Sequence, residues 1–225
     1  MKGVSLCQRC GQCCENGGPA LHREDLILFE EGILGEADLV TIRAGERVRR
    51  PAKSEAEPLC SELVKIGGKA GSWACRYLNT AEKSCQIYAR RPCECRHFLC
   101  SKPGLLLAMI GHDNLTRRDL LPPDDPAWEY IVALDRECPP RTVDTLLTAF
   151  MAGSDQKGSL QKMQHLVTRD VALRTAALAT LGIHPGRELF LFGRPLFVLL
   201  APFGFLVTEE NGRLFLKHPT LEPGL

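Results

Sequence analysis

Cys7-Gln8-Arg9-Cys10-Gly11-Gln12-Cys13-Cys14 puts four cysteines into eight residues. Two residues between successive thiols let the chain curl so that consecutive sulfurs face one metal centre, while amides of the turn hydrogen-bond to them. Gly11 and the Gly17-Gly18 pair supply the backbone freedom that a tight ligand loop needs. Three such cysteines and one distant partner satisfy a 4Fe–4S cluster, whereas two and two satisfy a zinc site, so the spacing leaves both open. Cys13 and Cys14 are neighbours, and adjacent side chains in extended chain point to opposite sides. They are expected to serve different metals, or one of them to support the other.

Further along stand Cys75, then Cys85-Gln86-Ile87-Tyr88-Ala89-Arg90-Arg91-Pro92, then Cys95-Arg96-His97. The candidate metal ligands are therefore Cys7, Cys10, Cys13, Cys14, Cys75, Cys85 and Cys95. Seven thiolates exceed the four that one site needs, so a second metal or free reactive thiols are both open. The chain has eleven cysteines, an odd number, and its first residues show no apolar leader before Cys7. A reduced, cytoplasmic setting is expected, in which such thiols serve metal or redox chemistry rather than disulfides. The net charge of +1 gives no reason to expect nucleic acid. The longest apolar run, Leu196 to Val207, is shorter than the ~20 residues of a membrane span. It reads as a buried strand pair.

The two motifs together resemble the YkgJ-type cysteine-cluster proteins, whose pattern is CxxCxxCC, a distant C, then C-x-IY-x-x-RP-x-x-CR. Cys7 to Cys14, Cys75, Cys85, Ile87, Tyr88, Arg91, Pro92, Cys95 and Arg96 match it position by position over roughly the first hundred residues. The resemblance implies a bound metal, zinc or iron–sulfur, and kinship with the flagellin lysine N-methylase group. Cys60, Cys93 and Cys100 depart from the pattern as additional thiols. On charge grounds, Arg91 and Arg96 are expected beside the thiolates, with Pro92 stiffening the approach of Cys95.

Ten of the eleven cysteines precede Ser101, which divides the chain into a metal-binding domain over 1–102 and an accessory region over 103–225. The expected class is α+β. In the first part, 23–31 reads as a short helix stopped by Gly32, and 59–66 and 72–78 read as a hairpin across the Gly67–Gly71 turn, bringing Cys60 near Cys75. In the second, Asp125-Pro126 starts a helix, and 141–151 and 160–181 carry helical periodicity up to Gly182. The tail reads as short strands over 188–192, 196–200, 203–208 and 213–217, the last two joined through Asn211-Gly212. Arg47, Arg49 and Arg50 read as a solvated loop or edge strand. His22, His97 and His112 are weaker ligand candidates, Cys138 reads as a buried small hydrophobe, and Tyr88 as a core aromatic under the cluster loop. No Rossmann or P-loop signature occurs.

The expected function is a cytoplasmic metal-cluster protein, iron–sulfur rather than zinc, of redox, sensing or accessory role. A zinc-stabilised protein-binding module is one alternative. A lysine N-methyltransferase-like enzyme is another, implied only by the resemblance. A protein or small-molecule partner is expected, with neither nucleic acid nor membrane.

Overall fold

The computed structural model describes residues 9–49, 54–69, 72–100 and 102–221. In chain order the elements are α1 (Gln12–Glu15), α2 (Leu26–Glu30), β1 (Leu39–Ile42), β2 (Arg47–Arg49), β3 (Ala56–Pro58), β4 (Leu63–Ile66), β5 (Leu78–Asn79), β6 (Ser84–Cys85), α3 (Cys93–His97) and α4 (Gly104–Met109). There follow α5 (Arg117–Leu120), α6 (Ala127–Glu137), α7 (Pro140–Met151), α8 (Gln156–Leu181), α9 (Glu188–Phe192), α10 (Leu196–Leu200), β7 (Leu206–Glu210) and β8 (Arg213–Lys217). Helices and two-stranded sheets without βαβ crossovers make this an α+β protein. Among the described residues no helix is long and apolar enough to cross a membrane.

The chain forms two compact units, Met1–Thr41 with Leu63–Leu121, and Ile42–Glu62 with Pro122–Leu225. The cysteine distribution marks 102/103, whereas the contacts keep α4 and α5 with the first unit and give 42–62 to the second. In the first unit, Leu21, Val64 and Leu115 are fully buried. Their backbones tie three distant segments together: Leu21 N–H donates to Val64 O, Val64 N–H to Leu115 O, and Leu115 N–H to Leu21 O, at 2.8–2.9 Å. The short helix before Gly32 is present as a 3₁₀ turn, Arg23–Asp25, running into α2.

The hairpin across Gly67–Gly71 is not formed. β4 pairs with β1 instead, and the Gly67 N–H donates to Asp38 O at 2.7 Å. After it the chain folds back at once, with Lys69 N–H on Ala74 O and a single bridge between Gly68 and Cys75. A Cβ on Gly68 would lie 2.3 Å from Ser72 O, so the chain returns closely on itself at Gly68; Ala70 and Gly71 lie outside the described residues. Cys60 belongs to the other unit, so this hairpin does not deliver it beside Cys75.

The second unit is built on α6, α7 and the long α8. The N-terminus of α6 is capped by Asp125, whose carboxylate accepts the Ala127 N–H at 2.8 Å. Periodic Val143, Leu147 and Phe150 of α7 and Met163, Val167 and Ala177 of α8 are buried, as the helical spacing predicts. The expected strands at 188–192 and 196–200 are the helices α9 and α10. An apolar run of five residues carries no decisive period. Here tertiary partners decide: Arg174 donates to the carbonyls of Phe192 and Gly193, both at 2.9 Å, satisfying the C-terminal end of α9. The run Leu196 to Val207 is thus α10, a turn and the start of β7, not a strand pair. β7 and β8 form the hairpin read from Asn211-Gly212, both residues having positive φ. Arg47 and Arg49 stand on the edge strand β2, paired with β3, and Arg50 lies outside the described residues.

Asp170 and Arg43 hold the centre of this unit. Asp170, fully buried, accepts from Arg174 Nε at 3.0 Å and from the Leu196 N–H at 3.1 Å. Arg43 is also buried, donating to Cys138 O at 3.2 Å with Asp135 and Asp170 at 3.6 and 3.9 Å. Cys138 is a buried thiol, as expected, and burial pushes it up to about 11.

Candidate metal centre

The first unit gathers the cysteine motifs by backbone contact. Gly11, at φ 79°, turns the chain into α1, which carries Cys13 and Cys14. A Cβ on Gly11 would meet Lys83 O at 3.1 Å and Leu78 Cδ1 at 3.4 Å, so this loop lies against the β5–β6 hairpin. That hairpin pairs Leu78 with Cys85. The Cys75 N–H donates to Cys14 O at 2.6 Å, fastening the second motif to the first. Behind them, a Cβ on Gly18 would lie 2.4 Å from Ile66 O and 2.8 Å from Ile66 Cβ. Gly18→Ala is therefore expected to destabilise the first unit by about 1–3 kcal/mol, the usual overpacking range, read as a lower urea midpoint with unchanged slope.

Five thiols feel one another's charge: Cys13, Cys14, Cys75, Cys85 and Cys95. The Cys13 and Cys14 sulfurs are 3.9 Å apart. The hydrogen bond from Cys14 pulls the exposed Cys13 thiol down to about 6, and the charge of Arg91 adds to this. The same bond, with burial and the charges of Cys13, Cys75 and Cys95, drives Cys14 upward. Burial, then neighbouring thiols, raises Cys75 and Cys95 as well. Such a set resists full ionisation on its own, and a bound cation removes the conflict. The donors are all sulfur, a composition that fits zinc or an iron–sulfur core. Among the described residues no three His, Cys, Asp or Glu side chains are placed where together they could hold a metal ion. Cys10 is exposed at the rim, and Cys7 lies outside the described residues.

The RP-x-x-CR segment is anchored from its other side. The Cys93 N–H at the start of α3 donates to Asp25 Oδ1 at 2.7 Å, and the Cys93 thiol donates to Glu24 Oε2 at 3.1 Å. Burial and Glu24 push that thiol up to about 11. Cys93 thus ties α3 to the Arg23–Asp25 turn and is no member of the five-thiol group. Arg96 donates to Glu24 Oε1 at 2.5 Å, and its charge also acts on the neighbouring Cys93 thiol. The charge of Arg91 acts on Cys13.

The histidines have other partners. His22 Nδ1 is 2.9 Å from His112 O and its Nε2 is 3.4 Å from Glu94, while His97 Nδ1 is 3.0 Å from Cys93 O. Glu94, which sequence reading did not single out, also accepts the Ala20 N–H at 2.8 Å. Cys60 and Cys100 are exposed. Tyr88 is half-buried rather than a core aromatic. Its ring has Arg9 at 4.0 Å and Arg91 at 3.8 Å from the centroid, a cation–π pair that links the two motifs. Arg9 was not distinguishable in the sequence, because nothing around it between Cys7 and Cys10 points to a partner about eighty residues away.

Residues 6–119 match the family model CxxCxxCC, described as "Putative zinc- or iron-chelating domain". No curated protein and no solved structure matches the chain.

Proposed function

We propose, from the premise that the chain belongs to the CxxCxxCC family, that its first unit holds a resident metal centre on cysteine thiolates, an iron–sulfur cluster in preference to zinc. The observation that carries this is the meeting of the two cysteine motifs: the Cys75 N–H donates to Cys14 O at 2.6 Å, and the Gly11 loop lies against the β5–β6 hairpin that carries Cys85. Cys7 and Cys10 complete the donor set, since they precede Cys13 at the repeat spacing of the loop. An iron–sulfur cluster supplies one-electron redox chemistry or oxidant sensing when bound. Gly11 and Gly18 let the loop lie flat on its support, the Cys75 amide fixes Cys14, and Asp25 fixes the start of α3 so that Cys95 faces the group.

The protein acts in the reducing cytoplasm, where these thiols stay available to metal. The second unit is an accessory region for a protein or small-molecule partner. Purification without oxygen, followed by a visible spectrum and iron, sulfide and zinc assays, tests the reading. Brown protein with iron and sulfide in comparable amounts is the expected result. Colourless protein with stoichiometric zinc and no sulfide sinks the iron–sulfur assignment.

A further inference from the structure

Arg9 and Arg91 differ from four other surface arginines of their unit. Arg23, Arg76, Arg90 and Arg96 each stand against a carboxylate, from Asp119, Asp38, Glu31 and Glu24. Among the described residues neither Arg9 nor Arg91 has one; Arg91 Nε donates only to Tyr88 O, at 3.0 Å. Both guanidinium groups nevertheless lie within 4.0 Å of the centroid of one ring. Tyr88 is therefore the common partner of the two guanidinium groups. Arg9 reaches its place from a left-handed backbone, φ 53°, which a non-glycine residue adopts only when its surroundings hold it there. Two like charges are thus held at one ring, without acids among the described residues; Arg9 stands between Cys7 and Cys10 in the chain, and the charge of Arg91 acts on the Cys13 thiol.

We infer that Arg9 and Arg91 are the counter-ions of a dianionic, all-thiolate centre, and that Tyr88 is the spacer that positions them. Any four of the seven candidate thiolates around Zn²⁺, or around a 4Fe–4S core of charge +2, leave a net charge of about −2. Two guanidinium charges match it, whereas a centre of two thiolates and two neutral imidazoles has nothing to balance. The inference rests on the metal centre proposed above.

The test measures Zn²⁺ and Co²⁺ affinity by competition with a chromophoric chelator, for the full chain and for Arg9→Gln, Arg91→Gln, the double Gln variant and the double Lys variant. The double Gln variant is expected to bind about 10–100-fold more weakly, the range found for residues that support metal ligands. The difference is expected to shrink in high salt, and the double Lys variant to recover most of the affinity in low salt. Double-Gln affinity within two-fold of the parent overturns the inference. So does an equal, salt-independent loss in the double Lys variant, because the stack would then act mechanically and not through charge. If the parent chain itself takes up no metal, the centre fails rather than its counter-ions.

Discussion

Cys95→Ser is expected to lower metal affinity by more than the about 10–100-fold typical of residues outside the ligand shell, and to leave purified protein with little metal. Burial, then the neighbouring Cys75, Cys13 and Cys85, pushes the Cys95 thiol away from ionisation when no cation is bound. A serine oxygen there offers a harder and far less acidic donor to a thiophilic metal. Cys93, two residues earlier, is the internal control. Its thiol is turned to Glu24 and its amide to Asp25, so Cys93→Ser keeps a hydroxyl donor for Glu24 and is expected to retain full metal content. Metal-to-protein ratios after gel filtration separate the two. Equal retention by both variants contradicts the assignment of Cys95.

In the second unit, Asp170→Asn is expected to cost about 3–5 kcal/mol, the range for breaking a buried ion pair from one side. The carboxylate faces Arg174 Nε and Nη2 and the Leu196 N–H, with Arg43 Nη2 at 3.9 Å. An amide turned either way leaves two buried guanidinium groups without their shared charge and can present N–H to N–H. Arg43→Met is expected to cost less. Its Nε and Nη2 have no hydrogen-bond partner, and its removal leaves Asp170 with Arg174 and Glu46 with Arg194, whose Nη2 is 2.6 Å from Glu46 Oε2. Urea unfolding followed by fluorescence checks both. The chain has two tryptophans, Trp73 in the first unit and Trp128 in the second, so a Trp73→Phe background reports the second unit alone. A loss below 1 kcal/mol for Asp170→Asn would show that this network is not what orders α8, α9 and α10.

What the sequence disclosed follows from how local each signal is. The Asp125-Pro126 start of α6, the periodicity of α7 and α8, the Gly182 stop and the Asn211-Gly212 turn act over a few residues and were legible, whereas the first turn of α8, capped by Asp155, was not. The helices α9 and α10 were not, because their form depends on Arg174 from another helix taking the carbonyls at 192 and 193. The pairing of β4 with β1 was hidden for a similar reason: the Gly67–Gly71 run resembles a hairpin turn locally, and only the tight return at Gly68 prevents it. In the metal region, the cysteine spacing marked the two motifs, and the fold joins them where the Cys75 N–H donates to Cys14 O. The division of labour among the charged neighbours was not legible. Arg96 turns to Glu24, and Arg9 joins Arg91 at Tyr88 only because the two motifs meet in space. The role of Cys93 likewise depends on Glu24 and Asp25, about seventy residues away in the chain.

The central claim is a centre bound by cysteine sulfur alone in the first unit. X-ray absorption at the edge of whichever metal the purified protein carries reads the ligands directly. The account predicts a first shell of about four sulfurs at roughly 2.3 Å, with an additional iron shell if the centre is a cluster. A first shell of nitrogen or oxygen near 2.0–2.1 Å contradicts it.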